Sequence, residues 1–74
     1  AAEESALRRE TRDEVQALVD RLVPEYRAPV ILHYWYDFSY KEIADILDIP
    51  IGTVMSRLYN ARKALKAKLE RIYP

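Results

Sequence analysis

The chain has no cysteine, a single glycine and a single histidine among its 74 residues. It also has no long uncharged apolar run, and each of these shortages excludes a class of protein. Without cysteine there is neither a disulfide framework nor a thiolate metal site, which suits a reducing cytoplasm. The apolar stretches fall far short of the ~20 residues that a membrane helix needs, so no membrane association is expected. His33 stands alone, and Asp45 with Asp48 supplies neither a metal-like ligand set nor a pocket in so small a chain. Catalysis, a metal, a cofactor and a small-molecule substrate are therefore not expected. The scarcity of glycine argues against a turn-rich sheet.

What is present favours helices. Half of the residues are hydrophobic, and Ala, Leu, Glu, Lys and Arg dominate, which points to one small all-α domain. Twelve Lys/Arg balance twelve Asp/Glu to a formal net charge of zero, but the two signs are segregated. Residues 1 to 48 hold six basic against eleven acidic side chains, a balance of −5. Residues 49 to 74 hold Arg57, Arg62, Lys63, Lys66, Lys68 and Arg71 against Glu70 alone, a balance of +5. Such a dipole suits phosphates at its basic pole and a protein partner or solvent at its acidic one, although a solvated helix face would carry similar charges.

Residues 1–10 lack apolar periodicity and read as a linker or a frayed extension, cut from a longer protein, with the domain proper over 11–74. Thr11 with Glu14 forms a capping box, and Val15, Leu18, Val19 and Leu22 place an apolar stripe on a first helix over 12–22. Pro24 suits the first position of a second helix over 24–36, in which Pro29 removes one backbone bond and should kink or loosen the first turn. Ser39 with Glu42 is a second capping box. It opens a short third helix over 40–47, with Ile43, Ala44, Ile46 and Leu47 on its buried face. Asp48-Ile49-Pro50 ends that helix, because Asp tolerates the left-handed conformation and a residue preceding proline is pushed out of the α region. From Ile51 onward Val54, Leu58, Ala61, Leu65, Leu69 and Ile72 repeat along one sector of a fourth helix of roughly 22 residues, spanning about 33 Å.

A short capped helix, a three-residue turn and a long helix over residues 39–72 constitute a helix-turn-helix, in which the first helix braces the second across the major groove of DNA. Ala44 suits the close crossing of the two. Opposite the apolar stripe of the fourth helix stand Gly52, Thr53, Ser56, Tyr59, Asn60 and Lys63, with Met55 and Arg62 on one flank and Arg57 on the other. Small polar groups near the helix start suit base edges and a phosphate at Thr53, and Asn60 suits an adenine edge. Gly52 costs up to about 1 kcal/mol relative to Ala in a helix, which either close approach to a backbone or an easier turn after Pro50 would justify. Glu42 and Arg57 are expected to form an ion pair between the helices. In the run His33-Tyr34-Trp35-Tyr36, Trp35 is the expected core residue, the other reading of the run being a docking patch for a partner.

The stretch from Ile49 to Leu65 resembles the I-P-x-G-T-V-x-S-R-L-x-R-A-R-x-x-L signature of region 4 of the extracytoplasmic-function sigma factors, the group IV branch of the sigma-70 family. Leu22-Val23-Pro24-Glu25-Tyr26-Arg27 is similar to the L-P-E-x-x-R of that family, and Phe38-Ser39-Tyr40-Lys41-Glu42-Ile43-Ala44 to its L-S-x-x-E-I-A. The resemblance extends over about 12 to 72. It implies a bacterial promoter-recognition module that reads the −35 element, contacts the flap of the RNA polymerase β subunit and is subject to sequestration by an anti-sigma factor. The base-reading positions it implies are Met55, Ser56, Tyr59 and Asn60, and the phosphate contacts Tyr40, Lys41, Thr53, Arg57, Arg62 and Lys63. Met55 and Asn60 stand where the family usually has basic residues, so binding should be weaker and less salt-dependent than among its relatives. Asp48 replaces a customary glycine, and the proline of L-P-E comes one residue late. Two rival readings are a response-regulator-type helix-turn-helix activator, which would lack the I-P-x-G-T-V-x-S-R-L string, and a helical protein-binding bundle without DNA contact.

Overall fold

The computed structural model describes residues 12–72, so the linker expected over 1–10 and the Thr11 cap lie outside the described residues. Helix α1 occupies 12–20, α2 Pro24–Tyr34, α3 Tyr40–Leu47 and α4 Ile51–Ile72, with no strand among the described residues. The all-α architecture with a long final helix is as expected.

Helix α1 ends two residues early. Arg21 and Leu22 donate to the carbonyls three residues back, Leu18 and Val19, at 3.2 and 3.0 Å, and this tightening closes the helix before Leu22 turns into the core. Pro24 then takes the first position of α2, and the N–H groups of Tyr26 and Arg27 both fall on the Val23 carbonyl. The Arg27 guanidinium reaches back to donate to the Asp20 carbonyl at 3.2 Å, so the two helices are tied at their shared end. Helix α2 continues through Pro29, whose ring is buried. The bond that the proline forgoes would have used the Glu25 carbonyl, at an exposed position near the helix start where water can replace it.

Helix α3 starts as anticipated. Ser39 Oγ accepts from the Glu42 N–H at 3.1 Å while Glu42 Oε1 accepts from the Ser39 N–H at 3.0 Å, a complete capping box. It ends at Asp48 in the left-handed region (φ 56°, ψ 49°), with the N–H groups of Asp48 and Ile49 both turned onto the Ala44 carbonyl. Pro50 then offers its carbonyl to the N–H groups of Thr53 and Val54, and α4 begins.

The core is the meeting of four faces. Val19 and Leu22 come from α1 and its exit, Val30 from α2, Ile43 and Ala44 from α3, and Val54, Leu58 and Ala61 from α4. Ala44 is buried at the α3–α4 crossing, as its size requires. Three residues expected in this core are exposed, two of them on helix stripes. Ile46 is 51% exposed, because it lies about a quarter-turn away from the face defined by Ile43, Ala44 and Leu47. Ile72, 45% exposed, belongs to a stretch of α4 that outruns the other helices, the last buried residue of α4 being Ala61.

Trp35 is the larger correction. It is 44% exposed, Tyr34 and Tyr36 are 53% and 65% exposed, and none of the three belongs to the core. The reason is the end of α2, which falls at Tyr34 rather than residue 36. Trp35 and Tyr36 both donate their N–H to the Ile31 carbonyl, at 3.0 and 3.3 Å, and the chain leaves through Asp37 at φ 63°. The buried stripe of α2 therefore stops before the aromatics. The ring of that run that turns partly inward is His33, whose Nδ1 lies 2.9 Å from the Phe38 carbonyl.

Candidate nucleic-acid interface

The interface begins with the division of α4 into two faces. Val54, Leu58 and Ala61, at spacings of four and three, are fully buried and fix the rotation of the helix on α2 and α3. The opposite face is then forced outward. Gly52, Met55, Ser56, Tyr59, Asn60 and Lys63 are all exposed, and Thr53 is half-buried at the edge. All four positions assigned to base reading thus share one open face, over two turns of helix.

The chemistry of that face is mixed. Ile51, Met55 and Tyr59 recur every four residues and are 46%, 50% and 60% exposed, so a row of large apolar surfaces runs along it. Apolar groups at this place suit contact with a thymine methyl in the major groove. Ser56 Oγ donates to the Thr53 carbonyl at 3.1 Å, which occupies its proton and leaves its lone pairs as acceptors. Lys63 Nζ stands 5.4 Å from the centroid of the Tyr59 ring, a cation–π contact that steadies both side chains.

Gly52 is informative for what it does not need. It has no positive φ, and a Cβ built on it would meet nothing within 4 Å, so neither the turn after Pro50 nor packing within the described residues requires glycine. A methyl group at this position would stand in open space with respect to the described residues.

The residues assigned to phosphate divide into two groups. Thr53, Arg57 and Lys63 lie on α4 and Lys41 in the first turn of α3. Arg62 and Tyr40 are joined to each other and to Tyr34: Arg62 Nη1 donates to Tyr34 Oη at 2.8 Å and to Tyr40 Oη at 3.4 Å. These bonds to the charged form, Tyr34 first and then Tyr40, raise the Arg62 pKa above its ordinary value. His33 fits between the two tyrosines, its ring centroid 4.9 Å from Tyr34 and 5.0 Å from Tyr40. Tyr34 is not legible as a site residue in the sequence, since Arg62 lies 28 positions further on. The one sign of it is the aromatic run itself.

The ion pair expected between Glu42 and Arg57 is not formed. Glu42 turns back on its own helix into the capping box, where the Ser39 backbone N–H and then the Ser39 side chain hold its carboxyl below the usual carboxylate range. The ion pair between described side chains is instead Lys66 with Glu70, at 4.0 Å on the exposed side of α4, a contact of little energetic weight. Among the described residues no group of three or more His, Asp or Glu side chains could hold a metal, and no helix is long and apolar enough to cross a membrane.

The comparisons with known proteins agree with the helical plan. The chain is 34% identical over 67 residues to the ECF RNA polymerase sigma factor SigW of Bacillus subtilis, a match that covers 90% of this chain and 36% of that protein. It is 38% identical over 64 residues to the ECF RNA polymerase sigma-E factors of Escherichia coli K12 and Salmonella typhimurium LT2, covering 86% of this chain and 34% of each. The chain thus spans about a third of the length of these relatives. The family model described as sigma-70, region 4, matches residues 12–65, which takes in α1, α2, α3 and the part of α4 that carries the open face. The match of that family model over most of the chain places the chain in the sigma-70 region 4 family.

Proposed function

We propose that this chain is the promoter-reading domain of an alternative sigma factor, with α4 lying in the major groove of the −35 element. The observation that carries the reading is the open face of α4: the helix that buries Val54, Leu58 and Ala61 turns Gly52, Met55, Ser56, Tyr59 and Asn60 together to the outside. Met55 and Tyr59 contact thymine methyls, Ser56 accepts from an exocyclic amino group, and Asn60 pairs with an adenine edge. Lys41, Thr53, Arg57, Arg62, Lys63 and Tyr40 hold the flanking phosphates. Gly52 permits the start of α4 to come close to the DNA backbone, a role supported by its having none inside the fold.

The protein partners we assign are the RNA polymerase core, through the flap of its β subunit, and an anti-sigma factor. The acidic balance of −5 over residues 1 to 48 supports a side of the molecule kept away from DNA and available to proteins. We assign the domain no catalysis, and its place of work is the cytoplasm, with the promoter.

The test is a titration of the chain on duplexes recovered by in-vitro selection, repeated across salt concentrations. Asn60→Arg is expected to raise affinity and to steepen the log–log salt slope by about 0.9, one additional phosphate neutralised. Gly52→Ala is expected to move two readouts in opposite directions, stabilising the fold by up to about 1 kcal/mol while weakening DNA binding. Unchanged binding by both variants at every salt concentration overturns a groove-facing α4.

A further inference from the structure

Tyr34 has no part in the reading above, yet it makes the shortest side-chain hydrogen bond across helices in the described residues. We propose that Tyr34, Tyr40 and Arg62 act as one anion clamp, and that its ligand is a backbone phosphate of the DNA at the rim of the groove read by α4. The inference rests on the promoter-binding reading, which already gives Tyr40 and Arg62 to phosphates, and adds Tyr34 to them, so that the parts come from three helices: the last residue of α2, the first of α3 and the middle of α4.

Proton accounting gives the clamp its sign. Nη1 of Arg62 has two hydrogens, and two phenolic oxygens lie at 2.8 and 3.4 Å to accept them. A phenol that accepts keeps its own O–H, and the guanidinium keeps three further N–H donors. The cluster therefore presents donors from all three side chains and no unpaired acceptor of negative charge. Both partners of Arg62 are hydroxyls, and among the described residues no carboxylate lies within 4.0 Å of it. A cation fixed by carboxylates would have most of its field cancelled. One fixed by hydroxyls is held in place with its charge still available.

The support is also anchored. The imidazole of His33 stands between the two tyrosine rings, at 4.9 and 5.0 Å, and is itself tied to the Phe38 carbonyl at 2.9 Å. The tyrosines are thus spaced by a ring anchored to the connection between α2 and α3. Position on α4 selects the ligand. Arg62 follows Met55 by seven residues, which returns it to the same flank of the helix about 10 Å further along, where a sugar-phosphate rim would run if Met55 and Asn60 face the bases. The planar guanidinium fork matches phosphate oxygens.

Three variants of the 74-residue chain decide the matter, each titrated against a selected duplex over a range of salt concentrations. Tyr34→Phe keeps the ring and removes one hydroxyl, so affinity should fall about fivefold with the salt slope unchanged. Arg62→Met should flatten the slope by about 0.9. In the Arg62→Met background Tyr34→Phe should cost less than about twofold, because the hydroxyl acts with the cation and not by itself. A scan of single methylphosphonate linkages, neutral at one phosphate each, should find a linkage that weakens the parent chain but leaves Arg62→Met unaffected. The clamp is overturned if Tyr34→Phe binds as the parent does, if its loss is equal in the Arg62→Met background, or if no such linkage exists. A parent chain that retains no duplex in the selection overturns the promoter reading and the clamp together, whereas a parent that binds with Tyr34→Phe silent overturns the clamp alone.

Discussion

Around Asp48 the chain turns from α3 into α4, and around Asp37 it turns from α2 towards α3, with both aspartates in the left-handed region at φ 56° and 63°. The two corners share a device. At each, two successive N–H groups converge on one carbonyl, those of Asp48 and Ile49 on Ala44 and those of Trp35 and Tyr36 on Ile31. What flanks them differs. The Asp48 corner is lined by buried Ile43, Ala44 and Val54, whereas the Asp37 corner leaves Tyr34, Trp35 and Tyr36 largely in water. The first corner serves the crossing of two helices, and the second builds an outer surface from large rings. The same backbone solution is thus used once for packing and once for presentation, and it is the side chains beside it that decide which.

The largest expected effect tests that division directly. Ile43→Ala at the packed corner should cost about 2–5 kcal/mol, the loss of a fully buried branched side chain. Trp35→Ala at the other corner should cost under about 1 kcal/mol, far below the roughly 3–5 kcal/mol of a buried tryptophan. Denaturant unfolding of both variants measures the ratio. Equal losses would mean that the aromatic corner is core after all and that the comparison fails.

The contrast also explains how much of the fold can be read from the residues in order. The ends of α3 are set by neighbours in sequence: Ser39 and Glu42 cap each other, and Asp48 followed by Pro50 closes the helix, so both boundaries have local signatures. The open face of α4 is equally legible, because a single period of 3.6 residues sorts Val54, Leu58 and Ala61 from Met55, Ser56, Tyr59 and Asn60. Tyr34 and Trp35 escape such a reading for the opposite reason. Their exposure depends on where α2 stops, and the role of Tyr34 on an arginine 28 residues away, and neither has a local signature. The pairing of Glu42 with Arg57 fails because a carboxylate that can close its own cap has a nearer partner than one across the helix pair.

A smaller effect sharpens the comparison at the point where the aromatic corner hands over to α3. Ser39→Ala should cost about 1 kcal/mol, because the Glu42 N–H loses its acceptor. The same cap has a pH signature. The folded-state pKa of Glu42 lies below its ordinary 4.5, held there by the Ser39 N–H and then the Ser39 side chain. The carboxylate therefore contributes stability above that ordinary value and loses it as pH falls through the lower folded one. Glu42→Gln retains a capping group without the charge, so it should unfold less steeply than the parent chain on acidification below 4.5. Parallel acid unfolding curves for the two proteins would show that the cap works without its charge.

The smallest effect asks whether the two aspartates are present for their backbone alone. Asp tolerates a left-handed conformation at a cost that glycine does not have. If φ is the whole requirement, Asp37→Gly and Asp48→Gly should each stabilise the fold by about 0.5 kcal/mol, and by similar amounts, since the two residues stand at φ 63° and 56°. Thermal unfolding of the two single variants is a sufficient measurement. A gain at Asp37 with a loss at Asp48 would break the symmetry, because it would give the Asp48 carboxylate a role beyond its backbone at the entry to the helix assigned to DNA. Equal gains would leave the difference between the corners entirely with the rings of Tyr34, Trp35 and Tyr36, where the clamp on Arg62 puts it.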